Sequence, residues 1–336
     1  TIRNHTVLPQ LVNNVSMGSA TEKKPQGGVV DVLVPPEFAT RDVVPAATAP
    51  ASQAAPAPTT VPITLDHWKE VNFPLTEKHI NLIENAEGTV PMFIAQAAAT
   101  LADEISETIA AQYTGIYGFV GTAGTTPFSS DTSVAQTART ALVKQQCPKV
   151  MRQLVLSPDA FGNATGLSAF ANAQASGTTL TISEGEIGRK LGFYWHEDMA
   201  IATHTTTASL EDWLVNQADH AAGAKQVTVD TGATPAAVGD VFTVAGDDQT
   251  YVVTAATATV INYEPAAKVA WADNAAITFK DSHVVNLAFN PYAFAFSSRP
   301  AAQLNLPELN QGKLLATWVD DQTGLVLKLE LKDEDH

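Results

Sequence analysis

The sequence predicts an α+β fold in which a small antiparallel β-unit interrupts a larger mixed domain. Three observations carry that expectation. Apolar residues recur at three- and four-residue steps over residues 90–113, and a helix–strand–helix alternation follows over 133–173. Between 223 and 283 the chain breaks into short β-rich runs separated by Gly, Pro, Asp and Asn, and longer strand-like sequence resumes at Val284.

Residues 1–27 mix Asn, Ser, Gly and Lys with scattered Val and Leu and hold no period, so they read as an N-terminal arm in extended form. Residues 28–75 read as a projecting hairpin. One strand is the run Val29–Val34; the other begins at Val61 and continues through Ile63, Leu65, Trp68, Val71, Phe73 and Leu75 at near period-two spacing. The Pro/Ala/Thr tract between them, residues 45–58, lacks the N–H groups for a ladder and reads as exposed polyproline-like chain. Six hairpin side chains, Val30, Val32, Val34, Ile63, Leu65 and Trp68, form the candidate interface between copies.

The next segment, 76–130, is dominated by one helix. Val90, Ile94, Ala97, Leu101, Ile105 and Ile109 define its stripe, Pro91 suits its first turn and Gly115 its end. At 1.5 Å per residue it would be about 36 Å long. Residues 131–222 predict a helix over 133–146, capped from Asp131 to Ser133 and stopped by Pro148, then a buried strand over 153–156 and a helix around 161–173. Residues 223–283 predict strands near 226–229, 241–244, 249–254, 259–263 and 276–279, the spacing of a small barrel or sandwich. Residues 284–336 return to longer strands and end in the alternating run 325–331 and a charged tail.

Composition limits function. The chain has 336 residues, 45% hydrophobic and 16% charged, enough for two or three packed cores. Its 19 Lys+Arg against 35 Asp+Glu give a net charge of −16, which argues against a nucleic-acid reader. Cys147 is the single cysteine, so no intrachain disulfide framework exists. No apolar run reaches the roughly 18 to 20 residues of a membrane span, and Thr1-Ile2-Arg3-Asn4-His5 has no signal-peptide core. The expectation is a soluble protein made in a cytoplasm.

Enzyme-like signals are sparse. Trp195-His196-Glu197-Asp198 with His204 offers imidazole and carboxylate groups suited to a divalent metal, but the spacing departs from His-Glu-x-x-His, and a lone polar triplet at a strand edge is more often a solvated turn. Gly118-Phe119-Val120-Gly121-Thr122-Ala123-Gly124 lacks the Gly-Lys-Ser/Thr ending of a phosphate loop and follows a helix, so it reads as a connection. No Gly-x-Ser-x-Gly elbow occurs, and Cys147 before Pro148 reads as a packing residue. No catalytic residue, metal or cofactor is expected.

Several phrases carry a family likeness: Val34-Pro35-Pro36-Glu37-Phe38; Ile63-Thr64-Leu65-Asp66-His67-Trp68-Lys69-Glu70-Val71; Gly239-Asp240-Val241-Phe242-Thr243-Val244-Ala245-Gly246; and Asn286-Leu287-Ala288-Phe289 followed by Ala293-Phe294-Ala295. In these and in the order of its parts the chain resembles the coat proteins of short-tailed phages, which carry an extra β-domain in the Hong Kong 97 capsid fold. The resemblance implies an N-terminal arm, an E-loop hairpin, a long spine helix, peripheral and axial domains and an inserted antiparallel β-domain. It departs at Asn290 and Tyr292, where the family commonly has a His and an acidic residue.

The implied function is that of a major capsid protein. Copies would assemble as hexamers and pentamers into an icosahedral shell around double-stranded DNA that is contacted non-specifically. Implied partners are a scaffolding protein, a portal and, in some relatives, a decoration protein, with no membrane; the implied location is the virion capsid after assembly in the host cytoplasm. Rival readings are an encapsulin-like nanocompartment shell, a surface adhesin, and a metal-dependent hydrolase using His196, Glu197 and His204.

Overall fold

The computed structural model describes residues 7–15, 27–34, 38, 40, 59–74, 89–208, 213–218, 220–230, 232, 234–299, 313–319 and 325–331. Contacts divide the chain into two units, Thr1–Leu11 with Thr76–Ala293, and Val12–Leu75 with Phe294–His336. The proline tract at 45–58, the tail at 332–336 and Leu75 lie outside the described residues.

The second unit is built of paired strands. Strand β1 (Asn13–Asn14) runs parallel to β16 (Ala295–Phe296). Strands β2 (Val29–Val34) and β3 (Thr59–Thr64) pair antiparallel along their full length, from Val29 opposite Thr64 to Val34 opposite Thr59. The second of these was expected to continue to residue 75. It ends at Thr64, because the opposite chain turns at Gly27, where the Gly27 N–H donates to the Leu65 carbonyl, and an extended segment without a ladder partner is no strand. Strands β17 (Lys313–Val319) and β18 (Val326–Leu331) form a further antiparallel pair.

In the first unit, residues 8–11, expected as extended arm, form one helical turn with Leu8 fully buried against the long helix Thr89–Ala110. The long helix continues as a 3₁₀ turn over Ala111–Gly115. Its buried residues are Ala99, Ala102, Ser106, Ile109 and Ala110; of the predicted stripe Ile109 is among them, whereas Ile94, Ala97, Leu101 and Ile105 are half-buried. Small side chains let a neighbouring element approach closely, and the Ser106 hydroxyl is satisfied by donating to the Ala102 carbonyl.

Helix Ser133–Lys144 follows, its start held by the Asp131 carboxylate, which accepts from the Ser133 N–H at 2.8 Å. Strand β4 (Gln153–Leu156) is buried on both faces and lies between β15 (Leu287–Phe289) and β6 (Phe193–Glu197), with β5 (Arg189–Lys190) beyond. β4 and β6 are parallel, which requires a crossover. Helix Pro158–Gly166 starts that crossover. The Ser157 hydroxyl caps it by accepting from the Ala160 N–H, and Leu167 in extended backbone ends it short of the predicted 173; single turns Ser168–Ala171, Ala173–Ser176 and Leu180–Glu184 complete the crossover. Leu154, Leu156, Ala160, Phe170, Phe193 and Trp195 share this core.

Strand β7 (Thr203–His204) then leads into a closed six-stranded barrel, order β10-β11-β12-β9-β8-β13. Its strands are β8 (Trp213–Val215), β9 (Gln226–Asp230), β10 (Val241–Val244), β11 (Tyr251–Ala256), β12 (Val260–Glu264) and β13 (Ala276–Phe279). Five match the predicted runs. β8 precedes the predicted start of the β-unit at 223 and closes the barrel by pairing with both β9 and β13. The interior is aromatic. Phe242, Tyr251, Tyr263 and Trp271 meet at ring separations of 5.1 to 6.4 Å, and His220 stacks flat on Trp271 at 4.2 Å. Strand β14 (His283–Val284) leaves the barrel and pairs antiparallel with β7, so entry and exit form a two-stranded neck.

Candidate assembly surface and the barrel neck

The hairpin's alternation sorts its side chains. Val30 opposite Ile63, Val32 opposite Val61 and Val34 opposite Thr59 lie on one face, and Val29, Asp31, Leu33, Thr60, Pro62 and Thr64 on the other. The first face is almost wholly aliphatic and grows more exposed toward the tip: Val30 is buried, Val32 and Ile63 half-buried, Val34 41% exposed and Val61 50% exposed. Four of the six predicted interface residues therefore share a face, and Val61 joins them. Val61, expected as the start of the strand but not as an interface residue, is placed on this face by its pairing with Val32. Leu65 is half-buried past the strand end, where its N–H donates to the Gly28 carbonyl, and Trp68, half-exposed, lies farther along the unpaired segment. Neither belongs to the ladder.

The predicted metal-like residues are separated. The His196 Nε2 pairs with the Gln153 Oε1 at 2.9 Å, and burial holds its imidazole below the ordinary value. Glu197 is exposed, whereas Asp198 is buried and accepts from the Leu8 and Ala200 N–H groups. His204 faces the neck. Among the described residues no three His, Cys, Asp or Glu side chains are arranged to hold a metal ion. The glycine-rich segment lines an open cleft of about 560 Å³ with helix Ser133–Lys144 and β15. Cys147 is half-buried; its carbonyl, with that of Pro148, accepts from the buried Arg152 guanidinium. Asn290 bridges two loops, its amide donating to the Val150 carbonyl and its oxygen accepting from the Tyr292 N–H.

The neck contains a chain of buried polar groups that sequence reading did not anticipate as a site. The Asp240 Oδ1 and the His204 Nε2 are 2.9 Å apart, and the His204 Nδ1 meets the Tyr113 hydroxyl at 2.9 Å. The other carboxylate oxygen, Oδ2, accepts from the Ala237 N–H at 2.8 Å and the Thr207 hydroxyl at 3.4 Å. Burial alone would raise the Asp240 carboxyl; the hydrogen bonds from His204 and Ala237 outweigh it and hold the group below its ordinary value. With Asp240 ionised, the His204 Nε2–H donates to it, and in the neutral imidazole Nδ1 is left to accept from Tyr113.

An acid–imidazole–hydroxyl series is a form that nucleophilic enzymes use. Here burial, reinforced by the Asp240 charge, raises the Tyr113 phenol, the opposite of activation. The arrangement is a strut. It fixes the end of the long helix, through Tyr113, to the barrel, through Asp240. Gly239 makes the approach possible, with φ of 94° and a Cβ position only 2.9 Å from the Thr114 methyl.

No protein-family model matches the sequence, and no curated protein does. Solved structures give similarities at low identity. A structure from Mycobacterium phage Che8 is 20% identical, with a TM-score of 0.44 over 85% of this chain and 91% of that one. The capsid structure of the cyanophage P-SCSP1u is 11% identical, with a TM-score of 0.39 over 88% of this chain and 89% of that one. The mature capsid of bacteriophage PhiM1 is 10% identical, with a TM-score of 0.40 over 91% of this chain and 88% of that one.

Proposed function

We propose that the chain is a major capsid protein, a structural subunit whose copies build the icosahedral shell around a phage double-stranded DNA genome. The observation that carries this reading is the hairpin's aliphatic face. Val32, Val34, Val61 and Ile63 stand at least partly open on a two-stranded ribbon that has too little surface to bury them itself. A second copy supplies the cover, and a lattice in which each subunit touches several neighbours sums modest contacts into a stable container. The capsid-like phrases in the sequence and the β-barrel interrupting the chain between β6 and β15 support the same reading.

The net charge of −16 suits a wall that holds DNA without gripping it. Hexamers and pentamers, a scaffolding protein and a portal belong to this proposal, as do virion location and assembly in the host cytoplasm. The test is electron microscopy of the expressed protein, alone and with its candidate scaffold. The unaltered chain is expected to give closed shells, and Val32→Asp with Val61→Asp to give folded, unassembled protein with an unchanged circular dichroism spectrum. An unaltered chain that stays monomeric at high concentration in both arms overturns the reading.

A further inference from the structure

Strands β4 and β6 are parallel, so their starts share one end of the sheet, Gln153 beside Tyr194, and their finishes share the other, Leu156 beside Glu197. β15 is antiparallel and ends, at Phe289, beside Gln153. The loop before β4 and the turn after β15 therefore lie together at the starting end. There, three large apolar side chains point to solvent: Val150 is 66%, Met151 48% and Tyr292 76% exposed.

Their presentation is rigid. The buried Arg152 guanidinium holds the loop through the Cys147 and Pro148 carbonyls at 2.6 and 2.8 Å. Asn290 ties the Val150 carbonyl to the Tyr292 N–H, and Gln146 and Met151 are held at positive φ of 59° and 60°. Residues 139–152 also carry Arg139, Lys144, Lys149 and Arg152 with no Asp or Glu, in a chain of net charge −16.

The finishing end has the opposite character. Exposed Glu107 and Glu197 flank Met199, at 90% the most exposed large apolar residue among the described residues. Glu107, Met199, Ala200, Ile201 and Ala202 bound a hollow of about 290 Å³. A four-residue strand separates the two ends by about 10 to 13 Å before the loops are added, so the surfaces face apart within one copy.

We propose that these two ends dock on each other between copies, Lys149 and Tyr292 of one chain meeting Glu197, Glu107 and the Met199 hollow of the next. This rests on the shell reading and names the contact that would build its rings. Unlike surfaces joined head to tail close into rings when the rotation permits, whereas a self-complementary face stops at two copies. The loop is a poor phosphate grip, because its buried cation, Arg152, is already committed to the Cys147 and Pro148 carbonyls, and Val150, Met151 and Tyr292 put apolar surface beside Lys149. The clamped loop gives up little conformational freedom on docking.

The test uses two full-length variants, Tyr292→Asp and Met199→Asp, which alter exposed positions and are each expected to keep the parental circular dichroism spectrum. Each retains one good end. Alone, each is expected to need about tenfold or more higher concentration to form rings or shells; mixed in equal amounts, they are expected to give a pair by light scattering, since the remaining ends present Asp to Asp. Shells from either variant alone at the parental concentration overturn the inference and leave the shell reading standing. A pair from the mixture, with no shells from the unaltered chain, upholds the inference and overturns the shell reading. No pair and no shells overturns both. A Tyr292→Asp shell that assembles normally but fails to retain DNA assigns the basic end to nucleic acid and overturns the inference.

Discussion

Replacing Asp240 tests whether the neck is held by a satisfied hydrogen-bond network or by charge alone. Asp240 is wholly inaccessible to solvent, and its carboxylate accepts from the His204 Nε2–H, the Ala237 N–H and the Thr207 hydroxyl. Asp240→Leu leaves the buried His204 imidazole and the Ala237 N–H without that acceptor, while the exposed Thr207 hydroxyl can turn to water. At about 1 to 3 kcal/mol for each of the two unmet groups, less the gain in apolar burial, the cost is about 2 to 4 kcal/mol. Asp240→Asn should be much cheaper, about 1 kcal/mol, because one tautomeric change repairs it. The new amide N–H₂ donates to His204 Nε2, the imidazole proton moves to Nδ1, and Nδ1–H donates to the Tyr113 oxygen.

The repair depends on Tyr113. Tyr113→Phe removes that oxygen, so the double variant Asp240→Asn with Tyr113→Phe should lose more than the sum of the singles by about 1 kcal/mol. Urea unfolding followed by tryptophan fluorescence gives each value, with Trp213 and Trp271 in the barrel as reporters. If Asp240→Asn is as damaging as Asp240→Leu, or the double variant is merely additive, the tautomeric account of the neck is wrong.

Acid should loosen the protein in two windows. His220 and His283 are held below the ordinary imidazole value chiefly by burial, so the unfolded chain takes up protons first and stability falls as pH drops below about 6.5. Asp240 and Asp247 are held low by the hydrogen bonds that outweigh burial; their stabilisation is present above the ordinary carboxylate value and lost as pH falls through their own lower values. Asp198, raised by burial, acts with the opposite sign, stabilising most when protonated. Urea midpoints between pH 7.5 and 5 should decline, and His220→Phe should flatten that slope; an unchanged slope refutes the role of His220. Gly239→Ala should cost about 1 to 3 kcal/mol from positive φ and collision with Thr114. Adding Thr114→Ser should recover only the collision, and full recovery in thermal melts would show the backbone is unstrained.

The long helix and five barrel strands were legible because their apolar spacing is local and sustained. β8 was not, because Trp213-Leu214-Val215 is too short to show alternation and earns its place by pairing with residues on β9 and β13. The helix stripe was legible at Ile109 but fell one position short at Ala102 and Ser106, where Leu101 and Ile105 were expected: Ile and Leu signal burial more strongly than the Ala and Ser that tight helix packing selects. The neck was invisible for another reason. Tyr113, His204 and Asp240 are 91 and 36 residues apart along the chain and form no spacing motif; their one local sign is Gly239-Asp240, noticed as a phrase but not as a buried acceptor.

The neck also determines what the barrel can become. Because His204 and His283 sit opposite each other in an antiparallel pair, the chain leaves and re-enters the sheet through points about 5 Å apart. To the sheet, the whole intervening segment is a loop between adjacent anchors. Its outer length and content can vary with the junction kept, provided that what stands there still presents an acceptor to His204 in the place of Asp240.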